Sequence, residues 1–131
     1  MDNLIICTEK LIIILDRLKQ QFEKNFAANE QPGKGREFFQ MVKKETEPVF
    51  DLLERWEKES LQVISLGKST LHPQQITSTK ENMEALLLHS YYLDVRKRRY
   101  MEMYKSCFYI FSQMLKEMHD ERETHTKSNK G

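Results

Sequence analysis

Apolar side chains recur along this chain at spacings of three and four residues, and the recurrence is interrupted at only a few places. This spacing places the apolar side chains on one face of a helix. The interruptions coincide with helix-breaking residues, which fall at 32–35, at Pro48 and between Gly67 and Pro73. The pattern therefore predicts an all-α chain whose long helices are joined by short connections.

Four amphipathic segments follow from this pattern. They run from about residue 2 to 29, from 36 to 66, from 73 to 93 and from 98 to 120. Helices of similar length with short connections pack as an up-and-down four-helix bundle. Pro48 lacks a backbone donor and its ring clashes with the preceding turn. We therefore expect the second helix to be split near Pro48.

The boundary between the third and fourth segments carries no glycine or proline. A continuous helix over 73–120 would be about 72 Å long, at 1.5 Å per residue, and would place Asp94 and Lys97 on the apolar stripe. We therefore predict a tight turn at 94–98. The alternative is one long helix that pairs with a second chain.

Local signals refine two of the helices. Pro73 suits the first position of the third helix, where His72 would be the N-cap residue and Gln75 could complete a capping box. The second helix contains two acid-first pairs at i,i+4 spacing, which favour ion pairs. These pairs are Asp51 with Arg55, and Glu54 with Lys58.

The length of 131 residues fits one domain. We expect the bundle to occupy residues 1–120. The remaining residues, 121–131, contain no apolar side chain and are predicted to form a disordered C-terminal tail. Glycine and proline are scarce, at 4 and 3 residues, which further favours a few long elements.

The charge balance limits the kinds of partner. Lys plus Arg number 21 and Asp plus Glu number 20, so the net charge is +1 and lacks the strong positive field typical of nucleic-acid-binding domains. One run is nevertheless basic and is the candidate partner-binding patch, here called the basic turn: Arg96, Lys97, Arg98 and Arg99. Four tyrosines flank it: Tyr91, Tyr92, Tyr100 and Tyr104.

The basic turn has two interpretations. Basic side chains with aromatic neighbours can bind phosphates and stack against bases, which would make the protein a nucleic-acid-binding protein. The other interpretation is structural: charged side chains suit a turn that is exposed to solvent, and cations stabilise the negative C-terminal end of the third helix. The second interpretation is favoured by the sequence.

Motifs for catalysis or cofactor binding are incomplete. Residues 66–70 resemble the end of a phosphate-binding loop, but Gln62 stands where that loop needs glycine, so we predict a glycine stop between helices. No histidine has the Glu-x-x-His spacing of di-iron bundles. We therefore expect neither a cofactor nor a metal. An enzyme or ligand carrier with an internal pocket is the alternative, and its candidate residues are His89, Tyr91 and Tyr104.

Two cysteines, Cys7 and Cys107, are too few for a disulfide scaffold and are predicted to be free thiols. No basic region precedes an apolar stretch at the start, so no secretory signal is expected. The longest apolar run, 11–15, is far shorter than the roughly 20 residues that span a membrane. These features predict a cytoplasmic protein without a membrane segment.

The leading hypothesis for function is a non-enzymatic helical module that binds another protein. The fourth segment has more large side chains than one buried stripe needs, because Met103, Tyr109 and Ile110 add to the stripe. Surplus apolar surface often marks a contact face. Self-association would be the simplest use of such a face.

Several short motifs occur in an order that resembles a known family. They are Arg36-Glu37-Phe38-Phe39, Arg55-Trp56, His72-Pro73-Gln74-Gln75-Ile76, Ser90-Tyr91-Tyr92 and Lys97-Arg98-Arg99-Tyr100. Their order and spacing over about residues 36–118 resemble the YppE-like family (DUF1798). This resemblance implies a small cytoplasmic protein of Bacillus-like and Listeria-like bacteria with a four-helix bundle fold. The family has no established activity, so the resemblance implies no functional residue.

Overall fold

Four α-helices make up the fold. A computed structural model of the chain describes residues 2–28 and 33–130, with side chains described as far as residue 124. The helices are α1 (Asp2–Ala28), α2 (Gly35–Ser65), α3 (Pro73–His89) and α4 (Lys97–Lys130). No strand occurs within these ranges. The prediction of an all-α four-helix chain is confirmed.

The helices are arranged as a ring of neighbours. Each helix packs against the next one along the chain, and α4 closes the ring by packing against α1. This arrangement is that of an up-and-down four-helix bundle. The apolar stripes of all four helices meet in one core, whose largest fully buried side chains include Trp56, Tyr100, Phe22 and Phe111.

A buried polar network joins α1 to α2 within this core. The Trp56 Nε1–H donates a hydrogen bond to Thr8 Oγ1 at 3.1 Å. The Thr8 hydroxyl in turn donates to the Leu4 carbonyl at 2.6 Å. Both side chains are 0% exposed, so a satisfied donor and acceptor here avoid the cost of burying unpaired polar groups.

The connection from α2 to α3 confirms the predicted glycine stop. The Gly67 N–H donates to the Ile64 carbonyl at 3.0 Å, and the Lys68 N–H donates to the Val63 carbonyl at 2.9 Å. Both bonds belong to a Schellman motif, which requires a left-handed residue after the helix. Gly67 fills that position with φ of 72°.

The start of α3 also agrees with its sequence. Pro73 is the first helical residue, after an N-cap at His72. The His72 N–H donates to Gln75 Oε1 at 2.8 Å, which is the predicted return contact of a capping box. Five residues, 68–72, thus separate the glycine stop from the next helix.

Pro48 does not split the second helix, which corrects the sequence prediction. α2 runs without interruption from Gly35 to Ser65, and Pro48 lies inside it. The missing N–H removes only the hydrogen bond to the Lys44 carbonyl. Val42 and Leu53, on either side, are both buried, at 3% and 0% exposure. Packing of one continuous apolar face thus outweighs the local cost of proline.

The break between the third and fourth helices is confirmed, but it begins earlier than the predicted 94–98. α3 ends at His89 and α4 begins at Lys97. Ser90 holds the end of α3, because its buried hydroxyl lies 2.8 Å from the Leu86 carbonyl and 2.9 Å from the Tyr100 hydroxyl. The alternative of one long helix does not occur.

The end of the chain differs from the prediction of a disordered tail over 121–131. α4 continues as helix to Lys130, and Gly131 lies outside the described residues. No glycine or proline interrupts 119–130, and Glu, Arg and Lys there are good helix formers. Met118 is the last buried side chain among those described. The domain limit at residue 120 therefore stays a prediction.

Candidate functional site

The basic turn lies at the start of α4. Arg96 precedes the helix, and Lys97, Arg98 and Arg99 occupy its first turn, all with exposed side chains. This end of a helix is the positive end of its dipole, so cations there are unfavourable. α3 ends at His89, seven residues before Arg96. None of these cations therefore belongs to the last turn of α3.

Three of the four cations contact side chains nearby. Arg98 Nε lies 3.3 Å from Glu102 Oε1, and Arg99 Nη1 lies 4.0 Å from Glu102 Oε2. Lys97 Nζ lies 5.9 Å from the centre of the Phe26 ring. Exposed ion pairs contribute about 0–1 kcal/mol each. Glu102 therefore offsets part of the positive charge without fixing the turn in place.

Two of the four flanking tyrosines are buried and do not contribute to an aromatic surface beside the basic turn. Tyr100 is fully buried and stacks on Phe22, with ring centres 3.8 Å apart. Tyr91 is also buried, and its hydroxyl donates to Glu45 Oε2 at 2.6 Å. Burial, followed by this hydrogen bond, raises the pKa of Tyr91 above its ordinary value. Neither ring is available to stack against a base.

The three residues predicted for an internal pocket lie apart and bind three different carboxylates. His89 Nδ1 lies 2.8 Å from Asp94 Oδ1, which confirms a partly buried histidine with a satisfied hydrogen bond. The Tyr104 hydroxyl donates to Asp16 Oδ1 at 2.9 Å. The Tyr91 hydroxyl binds Glu45, so each of the three side chains has its own acidic partner.

The segment that resembles a phosphate-binding loop is occupied by a carboxylate. Glu117 of α4 accepts hydrogen bonds from the Thr70 N–H at 3.0 Å and from the Ser69 hydroxyl at 2.9 Å. The Thr70 hydroxyl also donates to it, at 3.1 Å. A negative side chain on these donors repels phosphate, and it ties the α2–α3 connection to α4.

The two cysteines are free and buried, as predicted. Burial raises the pKa of the Cys107 thiol from 9.0 to about 12. The Cys107 Sγ also donates to the Thr79 carbonyl, at 3.7 Å. This thiol therefore stays protonated at neutral pH and behaves as a core side chain, because the thiolate is the reactive form of cysteine.

A partly exposed apolar surface lies on α4 beside α1. Met101, Tyr104, Phe108 and Leu115 share one face of α4 by their spacing, and we call them the outer strip. The Tyr104 and Phe108 rings stack with centres 6.1 Å apart. Phe108 is 43% exposed.

The surplus apolar residues predicted on the fourth helix divide between core and surface. Met103 and Ile110 are each only 5% exposed, so they belong to the core, and only Tyr109 is exposed, at 62%. The sequence indicated surplus apolar side chains on the fourth helix. It did not identify which of them face solvent, because α4 packs against both α1 and α3 and buries a wide face.

Within the part of the chain that the structure describes, no group of three or more His, Cys, Asp or Glu side chains is placed to hold a metal ion. No helix there is both long enough and apolar enough to cross a membrane.

These features define the class of the protein as an all-α four-helix bundle with a partly exposed outer strip on α4. A family model described as "Bacterial domain of unknown function (DUF1798)" matches residues 8–118. The chain belongs to this family, which confirms the resemblance seen in its motifs.

Individual relatives agree with this assignment. The chain is 25% identical over 108 residues to "Uncharacterized protein YppE" of Bacillus subtilis (strain 168), a match that covers 82% of this chain and 85% of that protein. The X-ray structure of yppE from Bacillus subtilis superposes with a TM-score of 0.84 at 24% identity, covering 93% of this chain and 97% of that one. A Listeria innocua protein of unknown function superposes with a TM-score of 0.79 at 14% identity, covering 92% and 94%. The structural matches show the fold.

Proposed function

We propose that this protein is a non-enzymatic helical module that binds another protein through the outer strip, and that a second copy of the chain is its simplest partner. The observation that supports this is the stacked pair Tyr104–Phe108, in which Tyr104 packs against the core and Phe108 is 43% exposed. Aromatic side chains of this kind dominate the energetics of protein interfaces. When two copies pack face to face, part of this apolar surface is buried away from water.

The charges beside the outer strip suit a contact with a second copy. Lys19 Nζ lies 4.8 Å from the centre of the Tyr104 ring, and Asp16 accepts the hydrogen bond of the Tyr104 hydroxyl. One cation and one anion therefore border the same ring. A two-fold interface pairs a surface with itself, so a patch that carries both a cation and an anion suits contact with its own copy.

The first prediction concerns self-association. We expect the wild-type chain to form dimers at high micromolar concentration, and Phe108→Glu to weaken dimerisation by at least about tenfold, since it buries a charge in the contact. Sedimentation velocity over a concentration series measures both. Tyr109→Glu is the matched control, because Tyr109 is more exposed on the same helix but lies beside Gln75 and Ser78 of α3.

A wild-type chain that stays monomeric over the whole series would contradict self-association. Equal weakening by Phe108→Glu and Tyr109→Glu would also count against it, because it would show that added negative charge alone opposes the contact. Circular dichroism of both variants verifies that each keeps its helices.

Nucleic-acid binding through the basic turn is the alternative function, supported by the exposure of all four cations at the start of α4. It predicts that affinity for a labelled single-stranded oligonucleotide falls steeply with salt, by about 0.7 logarithmic units per phosphate contact for each tenfold rise. Changing Arg96, Lys97, Arg98 and Arg99 together to Ala should abolish the signal. Fluorescence anisotropy tests this, and a signal unchanged between low and moderate salt would contradict it.

We also propose a cytoplasmic location. Two free, buried thiols support it, because reducing compartments keep cysteines unpaired. A fluorescent fusion observed in the native host, with a membrane marker and a secreted marker beside it, tests this placement directly.

A further inference from the structure

A charged groove lies between α1 and α2, on the flank of α1 away from α4. It has a volume of about 560 Å³, within the range of about 300–1,000 Å³ that is usual for small-molecule sites. Its polar lining comes from both helices: Asn3, Lys10, Arg55, Lys58, Glu59 and Gln62. Cys7 lies at its base and is 4% exposed. The sequence indicated none of these residues as a site.

The cations of the groove do not form the ion pairs that their sequence spacing predicts. Among the ion pairs of the described residues, none joins Arg55 to Asp51 or Lys58 to Glu54. Arg55 and Lys58 instead line the groove opposite Lys10 of α1. Three cationic side chains therefore line the groove, together with a single carboxylate.

The carboxylate of Glu59 provides a second observation that points to a ligand. Its Oε2 atom is buried, and it has no hydrogen-bond partner in the part of the chain that the structure describes. A buried acceptor of this kind costs free energy until a donor reaches it, and the cost is larger when the acceptor is charged. Glu59 also lines a smaller adjoining space with Asn3 and Gln62, so the groove continues past it.

The thiol at the base of the groove is unsuited to nucleophilic catalysis. Burial, and then the nearby Glu59 carboxylate, raise the pKa of Cys7 above its ordinary value of 9.0, while Arg55 and Lys10 act in the opposite direction with less effect. The thiol therefore stays protonated at neutral pH, and the thiolate needed for attack is scarce. The chemistry of the groove is thus that of binding.

We propose that this groove binds a small acidic zwitterion, with carboxylates facing Arg55, Lys10 and Lys58 and an ammonium group donating to Glu59 Oε2. An acidic amino acid has this set of groups. Two negative groups match the excess of cations, and charge-assisted hydrogen bonds to a guanidinium are among the strongest available. The one positive group supplies the donor that the buried carboxylate lacks.

Titration with L-glutamate, followed by the backbone amide signals in two-dimensional NMR, tests the proposal. We expect saturable shifts centred on Cys7 and Glu59. Arg55→Ala should weaken binding by at least about tenfold, which is the loss of about 1.4 kcal/mol. Arg98→Ala, which removes an exposed arginine from the other end of the bundle, is the matched control and should bind as the wild type does.

The ammonium contact is tested with glutarate, which has the same two carboxylates and no ammonium group. We expect glutarate to bind the wild type at least about tenfold more weakly than glutamate, and Glu59→Gln to remove most of this difference. The absence of saturable shifts with glutamate would overturn the proposal. Equal binding of the two probes, or unchanged binding in Arg55→Ala, would overturn it as well. The same spectra show whether each variant is folded.

Discussion

Replacing Trp56 by alanine is expected to lower the free energy of unfolding by about 3–5 kcal/mol. Trp56 is fully buried, packs edge-on against Phe111 with ring centres 4.9 Å apart, and donates its N–H to Thr8. The change removes the largest buried side chain, leaves a cavity, and removes the hydrogen bond that the Thr8 hydroxyl accepts. Urea unfolding followed by circular dichroism measures the loss.

Smaller substitutions keep this prediction testable if the alanine variant does not fold, since small domains are stable by only about 5–15 kcal/mol. Trp56→Phe keeps most of the ring packing and removes the N–H. Thr8→Val keeps the volume and leaves the N–H unpaired, at a cost of about 1–3 kcal/mol. A loss below about 1 kcal/mol in Trp56→Ala would show that this tryptophan is not central to the core.

Stability is also expected to fall steeply as the pH rises from about 9 to about 12. Burial raises the pKa of Tyr100 from 10.0 to about 12 and that of Cys107 from 9.0 to about 12. In the unfolded chain both groups lose their protons earlier, so above pH 9 the unfolded state binds fewer protons than the folded state. The stability that these groups contribute is complete below pH 9 and is lost progressively toward pH 12.

The expected loss is several kcal/mol, because each pKa unit corresponds to about 1.4 kcal/mol. Urea unfolding at a series of pH values measures it. Cys107→Ala and Tyr100→Phe each remove one titrating group, so both should flatten the pH dependence while lowering stability at neutral pH. A wild-type stability that is constant up to pH 11 would refute this account.

The positions of the helices could be predicted because they depend on short-range signals. Gly67 fits the left-handed residue of a helix stop, and Pro73 fits the first turn of the next helix. The stripe of α1 was equally informative, since Leu4, Leu11, Leu15, Leu18 and Phe22 are all buried. Phe26 shares their spacing but is 42% exposed. It lies near the end of α1, where the bundle no longer covers it.

The errors arose where packing between helices outweighs local propensity. Pro48 was expected to end a helix, but the apolar face of α2 stays in phase on both sides of it. The break after α3 was placed too late because Ser90 carries no obvious signal for a helix end. Its role depends on contacts with the distant Leu18 carbonyl and Tyr100 hydroxyl.

The side chains of the proposed groove were the hardest to predict. The spacing of Arg55 and Lys58 indicated ion pairs along their own helix, yet both line the space beside α1. This choice depends on which residues of α1 lie opposite, such as Lys10 and Asn3, and sequence spacing within one helix does not contain that information. The basic turn was visible in the sequence, but its position at the start of α4 was not.

The continuity of α2 through Pro48 has a consequence for how the bundle opens. The N-cap residue, Lys34, makes no side-chain capping bond, and the Lys44 carbonyl receives no hydrogen bond from residue 48. The turns between these two points thus lack a side-chain cap at one end and one backbone hydrogen bond at the other. Side-chain contacts such as the Tyr91–Glu45 hydrogen bond hold them in place. Amide protons of residues 36–46 should therefore exchange with solvent before those of 52–64, which makes the first third of α2 the unit that detaches first while the remaining helices stay assembled.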